Sequence, residues 1–216
     1  MPSPAYAQGL AEATAHHARS KTYSGKFLRP HKPFLLSLIA EHGITSALDY
    51  GCGKGAQYDW IDPDDGQTLE RAFGFEVTKF DPAFPPFAAE PEGVFDLVLC
   101  THTLGSIPIA DQDWVFDRLF GFATKVVYVA EKLGPGKKQV FSDPAAFPQD
   151  WTRDQWLAAL SPHARAGKAR GIATVASFRT RGETEGVQVE RLVWTGAARK
   201  TAGAPVGWRV IPAPTA

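Results

Sequence analysis

Cysteine is scarce in this chain of 216 residues, which has only Cys52 and Cys100. Two cysteines do not make a disulfide framework, and their spacing matches no zinc motif, so we expect no metal site. Apolar runs of about 18 residues, which a membrane-spanning helix requires, are missing. The N-terminal stretch MPSPAYAQGLAEATAHHARSK also lacks an apolar run of signal-peptide length. These absences predict a reducing, cytoplasmic setting and no membrane partner.

The chain also lacks an excess of charge of either sign. Lys plus Arg and Asp plus Glu number 23 each, which gives a formal net charge of zero. Proteins whose main task is binding a nucleic-acid backbone usually carry a basic excess, because counterion release supplies much of their affinity. A nucleic acid is therefore the less favoured partner, although a local basic patch keeps it open. Apolar residues make up 44% of the chain, enough for one continuous core.

Alternating strand and helix patterns predict an α/β layered domain with a mixed sheet. The predicted strands are 45–50, 76–80, 94–100 and 125–130, and the predicted helices are 33–41, 68–75, 111–123 and 152–160. Two alternating runs at 172–179 and 187–195 predict a terminal antiparallel hairpin. The domain is predicted to span 31–197. Residues 1–30 are interpreted as an extension that covers a site, and 198–216 as a loosely packed Pro/Ala-rich tail.

The segment ALDYGCGKGAQ, residues 47–57, carries the strongest chemical signal. It predicts a strand, a glycine-rich turn and then a helix. Gly51 and Gly53 would let the chain turn sharply and approach a ligand without a Cβ in the way, and Gly55 would permit close packing where the helix begins.

Glycines alone leave the ligand open. Gly51, Gly53 and Ala56 also satisfy a relaxed dinucleotide fingerprint, so a nicotinamide-dependent oxidoreductase remains an alternative. Asp49, at the end of the strand, favours a different ligand. A carboxylate there suits an ammonium group and a sulfonium, and is poor beside a pyrophosphate.

With the segments that follow, this motif resembles the class I S-adenosylmethionine-dependent methyltransferases. The acidic residue and glycine turn match the family's first motif, and Asp81 matches the acidic residue that ends the second strand and holds the ribose hydroxyls. The run FDLVLC followed by Thr101 matches the strand that leads to a loop over the cofactor. The resemblance implies a Rossmann-like seven-stranded mixed sheet sandwiched by helices, with S-adenosylmethionine bound at the carboxyl ends of the strands. The cofactor residues it implies are Asp49, Gly51, Cys52, Gly53, Gly55, Asp81, Pro82, Thr101 and His102.

The motif LDYGCGKG is also similar to that of largely uncharacterised members of this family, and one loop departs from their pattern. His102 stands where that pattern has an acidic residue, and Gly105 and Ser106 replace its Glu-His pair. Any role of that pair therefore cannot be transferred. A degenerate binding module without turnover remains a further alternative.

Residues on the acceptor side are predicted from their positions. His102 is the candidate catalytic base, or it only orients the substrate, because methyl transfer needs little more than alignment. Tyr23, Lys26 and His31 precede the first core helix and are candidate substrate-binding residues. A further hypothesis is that four residues form a basic patch for an anionic substrate: Lys137, Lys138, Arg179 and Arg181. The preferred acceptor is a small molecule or a carbohydrate, and the oligomeric state stays open.

Overall fold

The computed structural model describes residues 2–19, 23–134, 141–182 and 186–212, with the backbone alone for 181–182 and 186–188. Within these residues the α-helices are α1 Pro4–Arg19, α2 Lys32–His42, α3 Leu69–Phe73, α4 Gln112–Phe122 and α5 Arg153–Ala169. The strands are β1 Ala47–Tyr50, β2 Val77–Phe80, β3 Phe95–Thr101, β4 Ala123–Lys132, β5 Ala173–Gly182, β6 Gly186–Trp194 and β7 Trp208–Ile211.

The seven strands form one sheet in the order β2-β1-β3-β4-β5-β6-β7. Neighbours from β2 to β5 pair in parallel, whereas β6 is antiparallel to both β5 and β7. This confirms the Rossmann-like mixed sheet with its antiparallel hairpin. The chain leaves β1 for β2 on one side and later returns to β3 on the other, so the strand order reverses at β1. A crevice at the carboxyl ends of the strands is expected at such a point.

Both faces of the sheet are covered, which explains the continuous apolar runs at 97–100 of β3 and 126–130 of β4. On β3, Leu97 and Leu99 pack with α2 and α3, while Val98 and Cys100 pack on the opposite side with α4 and α5. All four residues are buried. The sheet is thereby fixed between two helical layers, and its carboxyl-end loops are free to form a site.

Helix ends follow the capping signals of the sequence. Gly43 ends α2 in the left-handed conformation with φ 56°, and Thr152 begins α5 as part of a capping box with Gln155. The α5 helix continues beyond the predicted end at 160 and passes through Pro162. The last turns of α5 contain the buried residues Ala164 and Gly167.

Two sequence predictions about the fold are wrong, and the first is the helix expected after the glycine turn. Residues 51–68 form turns, and the next helix is α3. The run DPDDGQ explains this, because proline, glycine and short acidic side chains favour turns over a helix.

The tail is not loosely packed where β7 forms. Trp208 is fully buried, donates from Nε1 to the Ser161 hydroxyl at 2.9 Å and lies edge-on to Trp194. A domain boundary at 197 would therefore separate β7 from the sheet to which it belongs. Among the described residues, no helix has the length and apolarity needed to cross a bilayer.

Candidate active site

A cavity lies at the carboxyl ends of β1, β2 and β3. The carboxyl ends of the strands are where ligands bind in open α/β sheets. The wall combines the strand ends, the loop after β3, the α1 helix and a segment that we name the strap, residues 23–28. The residues that line it are Tyr6, Gly9, Leu10, Ala13, His17, Tyr23, Gly25, Phe27, Tyr50, Gly51, Cys52, Gly53, Gln57, Asp81, Pro82, Ala83, Thr101, His102, Thr103, Ser106 and Ile107.

Most of the predicted site residues meet at this cavity. Seven of the nine predicted cofactor residues line it, as does one of the three predicted substrate residues: Gly51, Cys52, Gly53, Asp81, Pro82, Thr101, His102 and Tyr23. Four predicted residues lie outside the wall: Asp49, Gly55, Lys26 and His31.

The glycine turn is closed by hydrogen bonds within the protein. Gly51 and Cys52 both donate to the carbonyl oxygen of Phe80, at 2.7 and 3.1 Å, and Gly53 donates to Asp81 Oδ2 at 2.8 Å. The next four N–H groups also donate to protein acceptors: Lys54 to Tyr23, Gly55 to Cys52, Ala56 to Ser24 and Gln57 to Gly25. Every N–H of residues 51–57 is therefore already paired.

Glycine is required in this turn by the chain's own neighbours. Gly51 and Gly53 have φ of 83° and 61°, a region that residues with a Cβ adopt at a cost. A Cβ on Gly51 would overlap the Thr103 side chain, and one on Gly53 would overlap the Tyr23 carbonyl oxygen. Gly55 packs against the Phe87 ring instead of a helix start. The glycines thus let the strap and the loop after β3 close onto the turn.

Gln57 joins the strap to the core, and sequence reasoning missed it. Its side-chain oxygen accepts from the Leu28 N–H at 3.0 Å, and its Nε2 donates to Asp49 Oδ2 at 2.7 Å. The polar side chain is almost fully buried. Nothing in the local sequence distinguishes it from an exposed turn residue.

Asp49 lies beneath the turn and is fully buried. Its Oδ2 accepts from Gln57 and from the Tyr58 hydroxyl, at 2.7 and 2.8 Å. Burial raises the pKa of Asp49 to about 7, against the two hydrogen bonds that lower it. This carboxyl group therefore supports the turn from below, and the structure does not bring it to the cavity wall.

Asp81 is the acidic group in the wall of the cavity. Its two oxygens accept from the N–H groups of Gly53 at 2.8 Å and Ala83 at 2.9 Å. A carboxylate offers about four acceptor positions, so roughly two stay available on the cavity side. Burial raises the pKa of Asp81, while the Ala83 N–H and His17 lower it. The side chain is thus oriented by the backbone and can still accept hydroxyl protons.

His102 follows β3 with a φ of 56°, which is unusual for a residue other than glycine. Its N–H donates to the Ala130 carbonyl at 2.7 Å, and its ring stacks on Phe27 with centroids 4.3 Å apart. Burial, with Arg179 and Lys132, lowers the pKa of His102 to about 4. The imidazole is therefore neutral at physiological pH, and its buried Nε2 has no hydrogen-bond partner among the described residues.

The loop after β3 is held by two residues that sequence reasoning missed. Glu131 is buried at the end of β4 and accepts from the Leu104 N–H at 2.8 Å. Gln112 donates from Nε2 to the carbonyl oxygens of Leu104 and Ile107, at 2.9 and 2.8 Å. An acidic residue inside the apolar run KVVYVAEK was the one available signal for Glu131.

The α1 helix is attached to the rim of the cavity at two places. Ser3 donates from its N–H and hydroxyl groups to Asp111, at 2.7 and 2.6 Å, and Tyr6 lies edge-on to Trp114. Farther along, Glu12 accepts from the Ser142 N–H at 3.1 Å. The helix is therefore fixed to α4 and to the segment after β4.

The remaining predicted substrate residues are separated from the cavity. Lys26 is exposed, and His31 is buried with its Nδ1 2.7 Å from the Tyr128 hydroxyl. Burial, followed by Arg191, lowers the pKa of His31 to about 3. Arg179 is half-buried on β5. Three members of the predicted basic patch lie outside the described side chains: Lys137, Lys138 and Arg181.

Few charged side chains line the cavity. Among the described lining residues, none is Lys or Arg, and the one carboxylate is Asp81. Cys52 and Cys100 are buried free thiols, and burial raises the pKa of both. The described residues contain no group of three His, Cys, Asp or Glu side chains arranged to hold a metal ion.

The comparison with known families agrees with this architecture. Residues 16–165 match the model of a family described as a methyltransferase domain. The match covers more than half of the chain, and the chain belongs to that family. It runs from the end of α1 into α5 and so includes the glycine turn, Asp81 and the loop after β3. A comparison with curated proteins finds no match.

Proposed function

We propose that this protein transfers a methyl group from S-adenosylmethionine to a small acceptor in the cavity at the carboxyl ends of β1 to β3. The observation that carries the proposal is the position of Asp81. Its carboxylate lies in the cavity wall at the end of β2, oriented by two backbone N–H groups and with acceptor capacity to spare.

The residues present fit this donor. Asp81 would hold the ribose hydroxyls, and the apolar face that α1 presents would cover the adenine. A wall with one carboxylate and no Lys or Arg suits a ligand that carries a sulfonium. When bound, the donor supplies a methyl group that is already electrophilic, so the protein's task is alignment and exclusion of water.

The nicotinamide alternative is disfavoured by the same geometry. A dinucleotide site offers its pyrophosphate free N–H groups at the start of a helix after the glycine turn. Here the N–H groups of residues 51–57 donate to protein acceptors, and no helix begins until Leu69. A pyrophosphate would also lie close to Asp81 without a cation from the wall.

His102 is better suited to positioning than to removing a proton. An imidazole whose pKa is about 4 is a weak base at neutral pH. Its stacking on Phe27 and its fixed backbone give it a defined orientation at the cavity edge. We assign it the role of orienting the acceptor, which also fits a reaction that needs no general base.

The acceptor is proposed to be small because the cavity is covered. Five residues of α1 and three of the strap lie in the wall, and both segments are fixed to the rest of the domain. A polymer would have to displace them. Covering the cavity also excludes water, which would otherwise compete for hydrogen bonds to Asp81.

Calorimetric titration with S-adenosylhomocysteine tests the proposal. Removing the Asp81 charge in Asp81→Asn is expected to weaken binding at least tenfold, because a charge-assisted hydrogen bond is worth more than a neutral one. The control is Asp59→Asn, which removes an exposed carboxylate outside the cavity wall and is expected to bind normally. Equal affinity of both variants, in proteins with unchanged circular dichroism, would contradict the assigned ribose site.

A further inference from the structure

A group of basic side chains lies next to the cavity, on the sheet face that packs against α2. Lys132, the last residue of β4, and Arg179 on β5 are directly opposite in the strand register. One strand over, Arg191 on β6 is opposite Ser177, two residues before Arg179. Because residues in register share a face, these three side chains point to the same side.

Two histidines join this group. The backbone N–H of His102 donates to Ala130, two residues before Lys132 on β4, so its ring lies at the same strand ends. His31 contacts the Tyr128 hydroxyl on the same face and stands at the N-terminus of α2, which adds a positive partial charge. We name Lys132, Arg179, Arg191, His31 and His102 the basic cluster.

The cluster has no acidic counterpart among the described residues. None of its three permanently charged members forms an ion pair there. Glu190 is on the opposite face of β6 and is held by Arg153 at 2.9 Å. The charges of the cluster act on its histidines: burial lowers the pKa of His102 most, and the positive charges of Arg179 and Lys132 lower it further.

Buried nitrogen atoms of the cluster also lack hydrogen-bond partners. These atoms are His31 Nε2, His102 Nε2 and Arg191 Nε. Arg191 is 8% exposed and has its guanidinium 4.8 Å from the Phe34 ring centroid, so water can compensate for little of its charge. Buried donors without partners are costly, and an anion that accepts from His102 would satisfy one of them. The charge of that anion would also stabilise the buried guanidinium of Arg191, which is hydrogen-bonded to the Tyr128 side chain.

We infer that the methyl acceptor carries an anionic group, a carboxylate or a phosphate, and that Arg179, Lys132 and His102 bind this group beside the cavity while Arg191 and His31 support it from beneath. His102 connects the two regions, because it belongs to the cluster and also lines the cavity. The inference rests on the proposed methyl transfer, since that reaction is what makes the bound anion an acceptor.

The probe for this subsite is inorganic phosphate, titrated with and without saturating S-adenosylhomocysteine. Binding is followed by calorimetry and by the imidazole resonances of His102. We expect saturable binding in both conditions and a rise in the pKa of His102 as phosphate binds. A parallel titration with acetate distinguishes the two anions, because the tighter of the two identifies the group that the cluster fits.

Two variants make the test specific. Arg179→Gln is expected to weaken phosphate binding at least tenfold. The matched control, Arg165→Gln, removes an exposed arginine from α5 on the other side of the sheet and should bind phosphate as the wild type does. Absence of saturable binding of both anions, or equal affinity of the two variants, would overturn the inference.

The donor titration separates this inference from the proposed function. If S-adenosylhomocysteine displaces phosphate competitively, the cluster holds the donor's own carboxylate and the assignment to the acceptor is overturned. If S-adenosylhomocysteine does not bind but phosphate does so through Arg179, the anion subsite stands and the proposed methyl donor fails.

Discussion

Replacing Gly51 with alanine tests how tightly the glycine turn and the loop after β3 are packed. The new Cβ would overlap the Thr103 hydroxyl and methyl groups and would lie 2.7 Å from the Thr103 Cβ. Gly74 provides a matched control, because its φ of 81° is close to the 83° of Gly51 while nothing lies within 4 Å of its added Cβ. The two substitutions thus share the backbone cost and differ in the steric term.

The expected magnitudes follow from these two terms. A left-handed conformation costs an alanine roughly 1–2 kcal/mol, which is the expected loss for Gly74→Ala. Overpacking adds roughly 1–3 kcal/mol at Gly51, because both the turn and Thr103 are held by hydrogen bonds. Gly51→Ala should therefore lower the free energy of unfolding by about 2–5 kcal/mol.

Urea unfolding followed by tryptophan fluorescence measures both variants. Gly51→Ala is also expected to weaken S-adenosylhomocysteine binding, since Thr103 lines the cavity and has to move. Equal destabilisation by the two substitutions would refute the close contact between the turn and Thr103.

Three further predictions concern other parts of the molecule. His31 has a folded pKa of about 3 against about 6.5 when unfolded, so the unfolded chain takes up the proton and stability falls as pH drops below 6.5. Between pH 8 and pH 5, protonation of His31 in the unfolded chain lowers the free energy of unfolding of the wild type by about 2 kcal/mol. In phosphate-free buffer, His31→Gln should lack this decrease. Identical pH profiles of the two proteins would contradict the buried neutral imidazole. Trp208→Ala should destabilise the fold by about 3–5 kcal/mol, whereas Val206→Ala, at a side chain that is 55% exposed, should cost at most about 0.5 kcal/mol in the same unfolding assay. His102→Gln should raise the KM for the acceptor more than it lowers kcat, and a large loss of kcat that follows an ionisation would instead indicate a catalytic base.

Most of the helices and strands could be predicted because the signals that define them involve residues close together along the chain. Gly43 and Thr152 define helix ends through interactions within one turn, and the apolar runs of the central strands are buried on both faces. The tail could not be predicted in this way. Trp208 is buried by Trp194 and Ser161, which are distant along the chain, and the surrounding Pro/Ala composition hides a four-residue strand.

The residues of the candidate site also divide into those that the sequence pattern predicted and those that it did not. Gly51 and Asp81 directly follow parallel strands, and Thr101 ends one. The carboxyl ends of such strands meet at one edge of the sheet, so the proximity of the three residues followed from the pattern alone. The supporting residues depend on contacts between distant segments. Glu131 accepts from Leu104, 27 positions away.

Two further features also depend on contacts between different segments: the position of α1 over the cavity and the direction of the Asp49 side chain. The contribution of α1 to the wall depends on Ser3 reaching Asp111, which is 108 positions away. Asp49 was expected at the ligand because it precedes the glycine turn. Its side chain instead points beneath that turn, where Gln57 and Tyr58 bind it. Side-chain direction at a strand end depends on the loops packed around it, which a one-dimensional pattern does not contain.

The proposed function requires that the cavity bind S-adenosylmethionine and not a dinucleotide. Its most direct test is a pair of calorimetric titrations of the wild-type protein, one with S-adenosylhomocysteine and one with reduced nicotinamide adenine dinucleotide. We predict saturable one-to-one binding of S-adenosylhomocysteine at micromolar concentration and no heat of binding for the dinucleotide. Saturable binding of the dinucleotide, with none of S-adenosylhomocysteine, would contradict the proposed function.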